Sequence, residues 1–430
     1  MSLIVMKFGG DALGDKGKGA SKSSAEMLSG ARFHAEKFRH MSRIARERRD
    51  RGDRVLIVVS AMGDTTNRLL AMAAQLHPDP PARELDMLMT TGEQQAIALM
   101  AIALEAEGLD ARSFTGPQVG IVTESIFGKA RIREINPAKL RAALEAGSIP
   151  VVAGFQGATM DNELTTLGRG GSDITAVALA AALGADICEF YKDVDGVFTT
   201  DPRMCRSARK IDRISYDEML ELASIGAAVL HSRSVEFAKN YNVRLHVRSY
   251  LHDRPGTIVT AEEPEMEDIV VRGVAYNREE SKITIAEVPD TPGVAAELFE
   301  KIAEANIIVD MVIQSAPHGG RNSISFTVPR PDHEKAMRIT RACMESMGAS
   351  AVVGDNKVAK LSIVGVGMRS HPNVAARMFR ALADAGINIQ MIATSEIKLS
   401  CIIDEAELEK GIQVVHDAFP DQVSEAAVVG

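Results

Sequence analysis

Short, wholly apolar runs alternate with longer helical stretches through the first 250 residues. Leu3-Ile4-Val5-Met6, Val55-Leu56-Ile57-Val58-Val59 and Ile149-Pro150-Val151-Val152-Ala153 contain no polar side chain. A strand that is apolar on both faces has to be covered on both faces. These runs therefore predict buried strands of a mostly parallel sheet. Glu93–Leu104 and Ser172–Leu183 have helical composition and spacing. Strands alternating with helices predict an α/β domain over residues 1–250. The pattern then breaks. Residues 251–267 hold Pro255, Pro264 and a cluster of acidic side chains, and read as a linker.

Beyond the linker the chain repeats itself. Lys282-Ile283-Thr284-Ile285 is echoed by Lys360-Leu361-Ser362-Ile363, and Pro292-Gly293-Val294-Ala295-Ala296 by Pro372-Asn373-Val374-Ala375-Ala376. Ala305 through Met311 matches Ala385 through Met391 in register. Each copy reads strand, turn, helix, strand and further strand. The spacing suits two small α+β domains, at 268–345 and 346–430, rather than a solenoid. Duplication for packing alone explains such a pair; so does the creation of a small-molecule pocket at the seam.

Composition narrows the function classes. The chain has 430 residues, enough for two or three domains. Trp is absent and aromatics make up 4%, so aliphatic side chains and Met must fill the cores. A net charge of -9 with no sustained basic run argues against nucleic acid as a partner. Cys188, Cys205, Cys343 and Cys401 are scattered, without paired metal spacing, and read as reduced thiols of a cytoplasmic protein with no metal centre. The apolar start is too short for a signal peptide, and no window approaches a membrane span.

Three segments carry chemistry. Lys7-Phe8-Gly9-Gly10 follows the first strand. Its glycines let backbone N–H groups approach an anion, and Lys7 adds fixed charge. The spacing is neither that of a P-loop nor that of the dinucleotide fingerprint. Thr165-Thr166-Leu167-Gly168-Arg169-Gly170-Gly171-Ser172-Asp173 opens a helix, and so makes an anion site at its N-terminus. Arg169 can grip a carboxylate with two parallel hydrogen bonds, and Asp173 can orient Lys7 or a metal. Tyr191-Lys192-Asp193-Val194-Asp195-Gly196-Val197-Phe198 follows an apolar strand at Ile187–Phe190, where α/β folds place ligand loops.

Taken together these motifs resemble the aspartate kinases of the amino-acid kinase superfamily, over nearly the whole chain. Val59-Ser60-Ala61-Met62, Thr91-Gly92-Glu93, Ala153-Gly154-Phe155-Gln156-Gly157 and Asp193-Val194-Asp195-Gly196 stand in that family's order. Gly365-Val366-Gly367-Met368 and Thr394-Ser395-Glu396-Ile397 are similar to its paired, ferredoxin-like ACT domains. Ser60-Ala61-Met62-Gly63-Asp64-Thr65-Thr66 and Ser113-Phe114-Thr115-Gly116 are most similar to actinobacterial members.

The resemblance implies ATP and Mg²⁺ as cofactors and L-aspartate as substrate. Lys7 and Asp173 are the implied catalytic pair. Ser60, Thr66, Glu93, Arg169, Gly170, Gly171 and Ser172 would hold aspartate, Glu93 its ammonium and Arg169 its α-carboxylate. Lys7, Phe8, Gly9, Gly10, Lys192, Asp193, Phe198 and Arg203 fall where the family binds ATP. Lysine, threonine or both are the implied effectors, at Asp290, Gly293, Ala295, Gln314 and Asn388. The strand at about 268–276 would join the second repeat, and the ACT domains would pair subunits into a dimer or larger oligomer. The chemistry is consistent with this. A carboxylate nucleophile is already ionised at neutral pH, so the protein has to align two anions and neutralise the phosphoryl oxygens rather than supply a strong base.

Two positions depart from the family. Asp11 and Ala12 follow Gly10, where small hydroxyl residues are usual, and Ala228 stands in place of a lysine. Both changes make the phosphate pocket less positive. Lys16, Lys18 and Lys22 lie in a glycine-rich loop that either restores this charge or is ordinary surface. A degenerate kinase kept as an amino-acid-binding regulator, another amino-acid kinase acting on glutamate, acetylglutamate or a nucleotide, and a specialised aspartate kinase of secondary metabolism are the alternative readings.

Overall fold

The apolar runs form the centre of a parallel sheet. A computed structural model describes residues 2–14, 34–226, 229–266, 269–344 and 346–420. The chain forms two units; the first comprises Met1–Val197, Lys210–Ala223 and Ala228–Glu263. Its strands are β1 Leu3–Phe8, β2 Arg54–Val59, β3 Ala111–Phe114, β4 Ile121–Thr123, β5 Ile132–Ile135, β6 Ile149–Ala153, β7 Gln156–Ala158, β8 Leu164–Thr166, β9 Ile187–Lys192, β10 Arg213–Ser215, β11 Leu245–Ser249 and β12 Thr257–Thr260. Its helices are α1 Gly10–Leu13, α2 Ala35–Asp50, α3 Thr65–Leu76, α4 Ala82–Ala106, α5 Ala138–Glu145, α6 Gly171–Leu183, α7 Tyr216–Ile225 and α8 Ser232–Tyr241.

The main sheet runs β10-β12-β11-β9-β1-β2-β6-β3. All of its neighbours are parallel except β11 and β12. β1 is buried along its whole length. Met6 and Phe8 pack in one cluster with Phe38 and Met41 of α2 and Ile97 and Met100 of α4. Each such side chain contributes about 1.5–3 kcal/mol by leaving water. Ten of the 13 residues of α6 are buried, so its apolar, alanine-rich surface is core all round. A smaller sheet, β5-β4-β7-β8, carries the approach to α6.

Two elements differ from the sequence reading. α4 begins at Ala82, well before Glu93, because Gly92 does not interrupt it. That glycine answers to packing, since a Cβ there would stand 2.9 Å from the Ala61 Cβ. The stretch read as a linker contains β12, which pairs with β10 and β11. Its Thr257-Ile258-Val259-Thr260 run is β-branched throughout. Gly256 lets the chain pass close to β11, where a Cβ would meet the Val247 carbonyl oxygen at 1.8 Å.

The second unit comprises Phe198–Arg209, Ser224–Ala227 and Pro264–Gly430. Its strands are β13 Gly273–Pro289, β14 Val312–Gln314, β15 Arg321–Pro329, β16 Ala351–Val364, β17 Met391–Thr394 and β18 Lys398–Asp404. Its helices are α9 Val294–Glu304, α10 His333–Met344, α11 Val374–Asp384 and α12 Leu408–Asp417. The sheet order is β14-β15-β13-β16-β18-β17, antiparallel throughout. Gly273–Asn277 pair with Lys360–Val364 of the second repeat, whereas Lys282–Ala286 pair with Ala351–Asp355. Each repeat has its own core.

Cys205 and Met204 pack into the core of the second repeat, although they lie more than 40 residues before the linker in sequence. All four cysteines are buried and free. Among the described residues, one group has metal-ligand spacing: Cys205, His416 and Asp417. Ser207 Oγ and Thr199 Oγ1 already engage its polar atoms at 2.9–3.3 Å. No helix among the described residues is long and apolar enough to cross a membrane.

Candidate active site

Lys7 is the residue before the last of β1, and its side chain is buried with that of Asp173 in the first turn of α6. Lys7 Nζ stands 2.5 Å from Asp173 Oδ1, and Lys192 Nζ from β9 stands 3.6 Å from Oδ2. Burial raises the Asp173 carboxyl, but Lys192 and Lys7 overcome it and hold the group at about 2. Burial also pulls Lys7 below its ordinary value against the Asp173 charge. The carboxylate thus stays ionised between two ammonium groups, one of them fixed deep in the sheet.

The two glycine motifs meet this pair. A Cβ on Gly9 would find only Lys7 Nζ, at 3.7 Å, so the backbone lies open beside the ammonium. Gly10 is packed instead, since a Cβ there would stand 2.7 Å from the Ala61 carbonyl oxygen. Gly168 and Gly170 both have φ of 74°, a left-handed conformation that glycine adopts without a Cβ penalty. They turn the chain into α6, and the Gly171 N–H closes that turn by donating to the Gly168 carbonyl at 2.9 Å. Ser60 Oγ donates to Ser172 Oγ at 2.7 Å, joining the end of β2 to that N-terminus.

Glu93 is a second buried acid of the site. Its Oε1 accepts the Ala61 N–H at 3.0 Å. Its Oε2 is buried without a hydrogen-bond partner among the described residues. Burial pushes this carboxyl up to about 7, against the Ala61 amide, its own amide and the Lys7 charge. Arg169 is exposed, and forms neither an ion pair nor a hydrogen bond with a described residue. Thr66 stands in the first turn of α3 and Asp193 is exposed beyond β9.

The structure thus draws Lys7, Gly9, Gly10, Ser60, Glu93, Gly170, Gly171, Ser172, Asp173 and Lys192 around one set of elements. Phe8 points to the opposite side, into the core with Tyr191 at 5.1 Å between ring centroids. Phe198 and Arg203 belong to the second unit, where Arg203 hydrogen-bonds Asp201. Ala228 and the Lys16, Lys18, Lys22 loop lie outside the described residues.

Four side chains escaped the sequence reading. Lys37 Nζ donates to the carbonyls of Asp11 at 2.7 Å and Gly14 at 3.0 Å, which brings a cation to the turn that carries Asp11. Asp86 accepts from Gly128 N–H, Thr166 N–H and Thr166 Oγ1, at 2.7–3.1 Å. Arg233 Nη1 donates to the Leu167 carbonyl at 2.8 Å. His231 packs on Gly170. Asp86 is seven residues before Glu93 on one helix, which marks the same face; the others carried no local signal.

The second unit has its own cavity, of about 450 Å³, lined by Asp290, Gly293, Ala295, Gln314, Asn322 and neighbouring apolar side chains. Asn322 Nδ2 donates to Asp290 Oδ1 at 3.2 Å, and Asn322 Oδ1 is buried without a partner among the described residues. Asn388 is exposed in the second repeat, outside that lining.

Residues 2–249 match the amino acid kinase family, and residues 283–342 and 361–419 each match the ACT domain. An aspartokinase of Mycolicibacterium smegmatis is 46% identical over 100% of this chain and 99% of its own length. An aspartate kinase of Pseudomonas fluorescens is 49% identical over 97% of this chain and 98% of its own. Among solved structures, E. coli aspartokinase III shares the fold at 24% identity. Its complex with aspartate and ADP superposes with a TM-score of 0.76, and its complex with lysine and aspartate with 0.75, each over 97% of this chain and 99% of that one. With a family match over more than half its length and relatives nearly half identical from end to end, the chain belongs to the amino acid kinase family and, within it, to the aspartate kinases.

Proposed function

We propose that the protein transfers the γ-phosphoryl group of ATP to the β-carboxylate of L-aspartate, giving 4-phospho-L-aspartate. The observation that carries this reading is the half-used carboxylate of Glu93: one oxygen is hydrogen-bonded and the other is buried without a partner. Such an atom costs about 1–3 kcal/mol unless a ligand satisfies it. An amino-acid ammonium does so. Arg169, which no described carboxylate occupies, takes the α-carboxylate, with Ser60, Thr66 and the Gly170-Gly171-Ser172 entry to α6 completing the cradle.

The phosphate side fits as well. The open backbone at Gly9 beside Lys7 accommodates phosphate oxygens, and Lys192 at the end of β9 and Asp193 just beyond it are assigned to the nucleotide side. Phe198 and Arg203 are assigned to the nucleotide by resemblance. Magnesium, bound with ATP, supplies further neutralisation of phosphoryl charge. Lys7 contacts the transferred group, and Asp173 holds Lys7 and Lys192 in place. The acceptor carboxylate needs no base, so alignment and charge neutralisation do the chemistry. E. coli aspartokinase III, with the same fold, takes aspartate and ADP.

Residues 1–250 act as the kinase domain and the two repeats as a regulatory pair answering to lysine, threonine or both. The short edge strands β14 and β17 invite a second subunit. Four buried free thiols suit the cytoplasm. The test is product identification with purified protein, Mg·ATP and a panel of amino acids. Aspartate-dependent ADP release with an acyl phosphate trapped by hydroxylamine is expected. No turnover with aspartate, from folded protein, rules the reading out.

A further inference from the structure

His231 immediately precedes α8 in the first unit. Its ring lies against Gly170, the left-handed residue that begins α6. A Cβ at position 170 would stand 2.4 Å from His231 Cγ and 2.7 Å from Cδ2. The imidazole therefore shares the N-terminus of α6 with Ser172 and Asp173. It is partly exposed, as a group that meets a ligand must be.

Its protonation follows from its neighbours. Nδ1 accepts the Arg233 backbone N–H at 3.4 Å and caps α8. When the ring is neutral the proton is thus on Nε2. Nε2 makes no hydrogen bond with a described residue. The charged groups facing the ring are Asp173, Arg233, Arg169 and Lys192. Burial lowers its pKa, Asp173 raises it, and the three cations lower it again, leaving it below the ordinary value. The result is a neutral N–H donor with no acceptor among the described residues, at the N-terminus of α6.

We propose that His231 is a further catalytic residue, whose Nε2–H donates a hydrogen bond to an anionic oxygen of the phosphoryl group during transfer. This rests on the kinase reading above. No proton changes hands: the ring spreads phosphoryl charge as a neutral donor, beside the cations Lys7 and Lys192. The competing role is the helix cap alone, and the two roles use different nitrogens. His231→Asn keeps an acceptor near Nδ1 and suits a helix cap, but has nothing at Nε2. His231→Gln reaches the Nε2 position with an N–H and caps poorly.

Steady-state turnover of both variants, with melting temperatures as a folding control, separates the roles. On the proposal, His231→Asn lowers kcat by roughly ten- to hundredfold, somewhat less than the loss of a full oxyanion donor, with KM for aspartate little changed. His231→Gln recovers a large part of that loss. Wild-type kcat in His231→Asn, or equal losses in both variants, overturns it. A second measurement does not depend on the acceptor. In ¹⁵N-histidine-labelled full-length protein, Mg·ADP with beryllium fluoride, a phosphoryl mimic, should shift the Nε2–H signal that His231→Gln lacks. No shift also overturns the proposal. A shift in a protein that does not turn over aspartate rejects the acceptor and keeps His231.

Discussion

Burial holds the Glu93 carboxyl up at about 7, and this sets stability against binding. The folded state keeps its proton far above the ordinary value of 4.5. Its stabilising contribution is therefore full below about pH 4.5 and is lost as pH rises, the loss being complete above about pH 7 and worth about 3 kcal/mol. Binding has the opposite sign, because only ionised Glu93 attracts an ammonium. We expect kcat/KM for aspartate to climb with pH and level off above about 7. Glu93→Gln should flatten that limb and raise KM roughly ten- to hundredfold, the worth of a charged hydrogen bond. It should also melt higher than wild type at pH 8. An unchanged pH limb in the variant assigns it to another group. Lys7→Ala should lower kcat by about a hundredfold or more, and stranding Asp173 beside Lys192 alone should cost about 3–5 kcal/mol of stability. Near-normal turnover would show that Lys7 does not touch the phosphoryl group. Lys7, Glu93 and Asp173 were legible in the sequence because each sits in a motif with its own local signature. Lys37, Asp86 and His231 were not, since each meets its partner across 23 to 80 residues of chain.

At the scale of elements, α4 links the two halves of the proposed aspartate site. Glu93 meets the turn after β2, and Asp86, two turns earlier, meets the end of β8 and the Gly128 amide. Asp86 is fully buried, and its carboxylate is the acceptor shown for these donors. Asp86→Ala should leave the Gly128 and Thr166 amides unsatisfied, at about 1–3 kcal/mol each. It should also loosen the Gly168–Gly171 turn, raising KM for aspartate more than KM for ATP. Asp86→Asn, which keeps one acceptor oxygen, should lie between. Melting curves and the two KM values check this; a large stability loss with both KM values unchanged confines Asp86 to the core. The strands β1, β2 and β6 were readable because strands covered on both faces leave unbroken apolar runs. β12 was not, because it lies among prolines and acids at the edge of a composition change, and its partner strand β10 precedes it by more than 40 residues.

At the scale of the whole chain, duplication was legible as repeated words, but the contribution of Phe198–Arg209 to the second unit was not. Nothing local marks Cys205 for the core of a repeat that begins far downstream. The first repeat's cavity carries the last prediction. Asp290 offers a carboxylate, Asn322 a buried unpartnered oxygen, and Gly293 the left-handed start of α9, with nothing within 4 Å of a Cβ placed there. Ammonium toward Asp290 and carboxylate toward the N-terminus of α9 is the orientation that the helix dipole favours. A bound amino acid restrains the kinase only if it binds an inactive arrangement more tightly than an active one. Lysine, threonine or both should therefore inhibit the wild type and raise its melting temperature, a ligand at a hundred times its Kd adding about 2.7 kcal/mol. Asp290→Ala should lose both effects and keep the uninhibited rate. Asn322→Ala should weaken them, since Asn322 positions Asp290 from a distance of 3.2 Å. The melting shift separates binding from restraint. If Asp290→Ala keeps the shift and loses only the inhibition, Asp290 acts on the arrangement and not on the ligand. If inhibition is equally strong in both proteins, the effector binds elsewhere. If no amino acid moves either the rate or the melting temperature of the wild type, the repeats serve assembly, and subunit pairing through β14 and β17 becomes the property to measure.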